Sequence, residues 1–112
     1  MIAYLTHDQV NSNLARRIGD RLSLDLIVLT VKDADQAVAA DLLVLDLDSL
    51  PSDTRSKLFL RIGRGEIRSG LAIHSYQLTA SETCTLLAAG VRVCRRLTAA
   101  VLVPARPVAV AV

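Results

Sequence analysis

Asp41-Leu42-Leu43-Val44-Leu45-Asp46-Leu47-Asp48-Ser49-Leu50-Pro51 is the stretch that decides how this chain is read. Four branched apolar residues follow Asp41. They are too few for a lone helix and suit burial on both faces, as in the central strand of a parallel sheet. Asp46 falls where such a strand emerges, and Asp48 and Pro51 close the run. In open parallel sheets, ligands gather outside the carboxyl ends of the strands, near the point where strand order reverses. An acid at the tip of a buried strand is therefore the first candidate for chemistry. The plain alternative is a strand end that is polar because it meets water.

Working outward, residues 2–5 read as a first buried strand. Asp8 then offers an N-cap, and Val10, Leu14 and Ile18, spaced by four, give a helix stripe ending near Leu22. Residues 24–30 form a second strand. Asp33 can cap a short Ala-rich helix to residue 40, with Ala34, Ala37 and Val38 facing inward. After Pro51 a helix over 53–64 is anchored by Leu58, Phe59 and Ile62, and Gly63, Gly65 and Gly70 mark its end and return. Residues 71–74 form a fourth strand. Thr79-Ala80-Ser81-Glu82 is a capping box, and its helix carries Cys84, Leu87 and Ala88 inward before Gly90. Residues 91–94 form a fifth strand.

Five strands alternating with helices imply right-handed crossovers and a parallel sheet covered on both faces. The expected fold is an α/β, flavodoxin-like, doubly wound five-stranded sheet of order 2-1-3-4-5, the commonest such arrangement. At 112 residues the chain is one domain over 1–97. Residues 98–112 form an apolar tail in which Pro104 and Pro107 forbid a long closing helix. Its Val and Ala residues are expected to be buried by self-association, most simply as a homodimer through this end.

Composition removes several classes. A net charge of +2 is too mild to argue for nucleic acid, and neither a helix-turn-helix module nor an aromatic platform is present. Arg16, Arg17 and Arg21 read as a solvated basic face. Cys84 and Cys94 have no metal-like spacing and no disulfide-scaffold density, so they read as small core residues. The first eight residues lack a signal-peptide pattern, and no apolar run reaches the roughly 18 residues of a membrane helix. A cytoplasmic protein is expected, with no membrane partner.

The strand ends collect the chemistry. Strand one delivers Thr6, His7 and Asp8, strand three Asp46 and Asp48, strand four His74 and Ser75, strand five Arg95 and Arg96. Carboxylates, a hydroxyl and a cation on one edge can hold Mg²⁺ and a phosphoryl group, since oxygen ligands suit Mg²⁺ and a carboxylate can become an acyl-phosphate. His7 or His74 with Ser75 would serve a small hydrolase or transferase, although no nucleophile elbow orders them. Gly63-Arg64-Gly65 follows a helix and is no phosphate loop.

Asp41-Leu-Leu-Val-Leu-Asp46-Leu-x-x-Leu-Pro51, with Ser75-Tyr76 and Ala89-Gly90-Val91, resembles response-regulator receiver domains, the CheY-like family, over residues 1 to about 97. The resemblance implies two-component signal transduction. Asp46 takes the phospho-acceptor position served by a His kinase, Ser75 or His74 the switch position, and Arg95 or Arg96 the basic position after strand five. Asp8, Asp46 and Asp48 are the candidate metal residues. The departures point to a pseudo-receiver. Thr6-His7 replaces the acid pair after strand one, one residue is inserted between Asp46 and Pro51, and Leu97 replaces a Pro. The expectation is a module acting through protein–protein interaction, with no cofactor or weakly bound Mg²⁺, and with no catalytic residue assigned. The alternative is a phosphorelay receiver phosphorylated on Asp46.

Overall fold

The computed structural model describes residues 1–66, Arg68 and residues 70–102, apart from the side chains of Ala34, Asp35 and Val38. Five strands, β1 (Ile2–Leu5), β2 (Leu26–Leu29), β3 (Leu42–Asp46), β4 (Leu71–His74) and β5 (Arg92–Cys94), alternate with helical segments. These are α1 (Gln9–Arg21), a 3₁₀ segment Val31–Ala39, a 3₁₀ turn Leu47–Ser49, α2 (Ser52–Gly63), α3 (Ala80–Ala88) and α4 (Ala99–Leu102). The strands form one parallel sheet in the order β2-β1-β3-β4-β5, so the flavodoxin-like doubly wound fold is as expected. Among the described residues no helix is long and apolar enough to cross a membrane.

Side chains alternate across a strand, so each strand divides between two cores. Ile2, Tyr4, Leu42, Val44 and Ala72 pack with Ala15 of α1 and with Leu97, Val101 and Leu102. On the other face Leu5, Leu45, Leu71 and Ile73 pack with Leu47, Leu50, Ile62 and Leu86. Ala3 and Leu29 meet Ala37 of the 3₁₀ segment and Ala40 just after it. By the same alternation Asp46 and His74 continue the Val44 and Ala72 rows, towards α1 and α4. Asp46 and His74 are also register partners.

Three helix faces differ from the sequence expectation. In α1 the buried residues are the small ones, Ser12, Ala15 and Gly19, flanked by half-buried Leu14 and Ile18. Val10 is 73% exposed. Small residues let the helix approach the sheet, and a Cβ on Gly19 would come within 3.3 Å of the Leu26 side chain. In α3 the inward residue is Leu86, while Cys84 and Leu87 are exposed. Leu86 and Ala89, three apart, share the stripe that meets the core. The segment after β2 is a 3₁₀ helix from Thr30 with irregular backbone at Asp33, so Asp33 lies inside the segment it was expected to cap. Ala37 is buried there as expected, and the side chains of Ala34 and Val38 lie outside the described residues.

Gly70 is required by space as well as by conformation. Its φ is +72°, and a Cβ there would lie 2.1 Å from the Asp41 carbonyl oxygen at the start of β3. The closing segment α4 contributes core from its first turn, since Val101 is 8% and Leu102 0% exposed. Residues 103–112, on which the expectations about Pro104, Pro107 and the Val-Ala end fall, lie outside the described residues.

The burial of Leu102 gives a direct check. Leu102→Ala is expected to lower stability by about 2–5 kcal/mol. Leu60→Ala, at a side chain 56% exposed, should change it by no more than about 0.5 kcal/mol. Urea unfolding of the two variants beside the parent chain measures both.

Candidate functional site

The expected site lies at the carboxyl edge of β1, β3 and β4, and the structure divides it in two. Asp46 does end β3, but its carboxylate is buried, 1% exposed, where a solvent-accessible rim was expected. The cause is the strand alternation. Asp46 points to the α1 face, and the first turns of that helix lie over it. Thr6 Oγ1 donates to Asp46 Oδ2 at 2.7 Å, and Asn11 Nδ2 donates to the same oxygen at 2.9 Å. A buried carboxylate is stable only with such donors. Thr6 also accepts from the Asp8 backbone N–H at 3.0 Å, which ties the β1–α1 loop to the same point. Ser49 Oγ donates to the Asp46 carbonyl and accepts from the His7 backbone N–H, both at 2.9 Å.

His74 and Tyr4 complete a buried polar cluster on this face. Tyr4 Oη lies 2.9 Å from His74 Nδ1, and that nitrogen is 3.7 Å from Asp46 Oδ1. Tyr4 and His74 are both 0% exposed. His74 Nε2 has no hydrogen-bond partner among the described residues, and the ring edge meets Tyr76 with centroids 5.3 Å apart. Burial, and then the charge of Asp46, push the Tyr4 phenol well above the ordinary tyrosine value. The sequence places Tyr4 within a buried strand and gives no sign of the partners that it and Asn11 find here. A Tyr within a four-residue buried strand was the available signal, because a buried phenol needs a partner.

The second half is built around Asp48. The 3₁₀ turn after β3 carries this carboxylate toward the loop that follows β4. Ser75 Oγ donates to Asp48 Oδ1 at 2.5 Å, and the Tyr76 backbone N–H donates to Oδ2 at 2.7 Å. Gln77 N–H donates back to Ser75 Oγ at 3.2 Å. Arg55 of α2 lies 3.8 Å from Asp48 and donates to Glu82 of α3 at 2.9 Å. Glu82 closes the capping box with Thr79. Its carboxyl is held below the usual range first by the Thr79 backbone N–H and, against some desolvation, by Arg55. Asp48, Ser75, Arg55 and Glu82 thus join the turn after β3 to α2, the β4–α3 loop and α3.

These assignments bear on each expected role. Asp8 is exposed and caps α1 by accepting from Val10 N–H at 2.8 Å. Asp46 and Asp48 are turned to separate partner sets. Among the described residues no group of three His, Cys, Asp or Glu side chains is placed to hold a metal ion. The donor set therefore does not fit Mg²⁺, which needs carboxylates converging with room for its waters. Arg95 and Arg96 are exposed after β5, and neither forms an ion pair with Asp46 or another acid among the described residues. Ser75, the switch candidate, is 2% exposed and bonded to a carboxylate rather than to an imidazole, so the hydrolase arrangement is not assembled. His74, the other switch candidate, is at the opposite side of the strand end, in the Asp46 cluster.

The Tyr4 environment sets a pH dependence. A phenol whose value is raised on folding contributes stability that is present below its ordinary value and lost as pH rises past it. Stability should therefore fall above about pH 10, and Tyr4→Phe should flatten that fall. Alkaline titration of phenolate absorbance, parent minus Tyr4→Phe, should show Tyr4 ionising only as the chain unfolds.

No protein-family model matches the chain, and neither a curated protein nor a solved structure does.

Proposed function

We propose that this chain is a receiver-like signal-transduction module that acts by protein–protein interaction and does not depend on phosphorylation. One observation carries the reading. The carboxylate at the phospho-acceptor position, Asp46, is 1% exposed, and one of its oxygens holds the donors of both Thr6 and Asn11. An acyl-phosphate forms when a carboxylate oxygen attacks a phosphodonor, with a divalent cation offsetting the gathered negative charge. At Asp46 the hydroxyl and amide of the chain itself occupy that role of stabilising the carboxylate. The remaining acids are likewise engaged, Asp8 as a helix cap and Asp48 with Ser75 and Tyr76.

The output surface in this reading is the β4–α3 loop. Asp48 fixes it through Ser75 and the Tyr76 amide, and this leaves the Tyr76 side chain 58% exposed beside the edge of His74. An aromatic presented on a hydrogen-bonded loop is a suitable anchor for a protein partner. Self-association through residues 98–112 belongs to the same proposal. Val101 and Leu102 are already committed to the core of the domain, so residues 103–112 are the part assigned to the contact.

Intact mass after incubation with acetyl phosphate and Mg²⁺ tests the central claim. The expected result is an unchanged mass. Addition of one phosphoryl group, abolished by Asp46→Asn, would overturn it and support a working phosphorelay receiver. For the association, sedimentation of the full chain is compared with a chain ending at Leu102, which keeps the core intact. The full chain is expected to run as a dimer and the shortened chain as a monomer, and two monomers would refute the contact.

A further inference from the structure

We propose that the crevice between α1 and the end of β2 binds a small free α-amino acid as its zwitterion. The crevice has a volume of about 320 Å³ and runs from Val28, Leu29 and Thr30 at the end of β2 to Thr6, the residue after β1 that donates to Asp46. That volume falls at the small end of the range for ligand pockets, roughly 300–1,000 Å³. It does not rest on the receiver-like reading, although it shares Thr6 and Asp8 with the residues around Asp46.

Charge is the first argument. Arg16 lines the crevice from α1, Asp8 from the start of that helix, and Asp33 from the segment after β2. All three side chains are exposed, and exposed charges gain little by pairing with one another. Here none of the three forms an ion pair among the described residues, so more than 4 Å separates Arg16 from either acid. The two acids make only local hydrogen bonds. Asp8 accepts from Val10 N–H at 2.8 Å, and Asp33 accepts from the Thr30 hydroxyl at 3.2 Å.

The second argument is Ser12. It is 8% exposed and lines the crevice one helical turn before Arg16, on the same side of α1. Its hydroxyl has no hydrogen-bond partner among the described residues. The hydroxyl oxygen is not closed off from water as His74 Nε2 is, and it opens on the crevice. Val28 and Leu29 add an apolar wall.

These groups select among ligand classes. A simple anion such as phosphate would face Asp8 and Asp33 across the gap, and a simple cation would face Arg16. A ligand carrying both charges a few ångströms apart complements both sides. Its carboxylate takes the Arg16 guanidinium and the Ser12 hydroxyl, and its ammonium takes Asp33, supported by Asp8. A short aliphatic side chain then lies on Val28 and Leu29. L-Valine is the matching probe.

The full chain, ¹⁵N-labelled, is titrated with L-valine and followed by amide chemical shifts. Saturable shifts are expected at Ser12, Arg16, Thr30 and Asp33, with a Kd of about 1 mM or tighter. L-Valinamide, which lacks the carboxylate, and N-acetyl-L-valine, which lacks the ammonium, should each bind at least about tenfold more weakly. Arg16→Gln and Asp33→Asn alter exposed side chains and should keep the parent spectrum while weakening L-valine binding about tenfold. Absence of saturable shifts, shifts mapping elsewhere, equal binding of either blocked analogue, or unchanged affinity in both variants would each overturn the proposal.

Discussion

The buried carboxylate of Asp46 constrains much of what surrounds it. Taking a carboxylate out of water costs several kcal/mol unless donors are buried with it. Thr6 just after β1 and Asn11 in the first turn of α1 supply them. For Asn11 to reach, α1 must lie close over the strand ends. The small residues on its inner face, Ser12, Ala15 and Gly19, permit that approach. The helix position and the polar site are therefore one arrangement. A larger residue on that face would lift the helix and leave the carboxylate without its amide donor.

Two residues beyond Asp46, the chain makes a different use of the same side chain. The 3₁₀ turn Leu47–Ser49 reverses the strand direction before Pro51 and α2. It buries Leu47 completely in the core with Leu5, Leu45 and Ile73 and carries Asp48 toward the next strand's loop. Asp46 serves the α1 face, and Asp48 ties β3 to the β4–α3 connection. Through Arg55 and Glu82 the second carboxylate is linked to two helices. Two acids so near in sequence, each with its own set of donors, are held apart instead of converging on a cation. That separation follows from burial on one side of the strand and a turn on the other.

The helix faces show how far periodicity carries. Spacing by four picked out Val10, Leu14 and Ile18, yet Val10 is exposed. In α3 the neighbouring residues Leu86 and Leu87 are equally apolar, and about 100° of helix rotation separates them. Leu86 is inside because Thr79 and Glu82 fix where the helix starts and Ile73 and Val91 lie beneath that face. Sequence alone offers both residues to the core on equal terms.

What the sequence determined by itself was the alternation of short apolar runs with helical stretches, and with it the parallel sheet; the order of its strands was expected only as the commonest for five, and the structure has it. The sequence also placed the capping box at Thr79 and Glu82 and the glycine at position 70. These are local matters of period, propensity and backbone freedom, written in contiguous residues. Tertiary structure decided which acid is buried and by whom. Tyr4 and His74 are 70 positions apart, Thr6 and Asp46 are 40 apart, and Asp48 meets Ser75 across 27. No spacing in the sequence encodes those meetings. They exist because β3 pairs in register between β1 and β4, which brings three strand ends to one edge and lets a helix close over part of it.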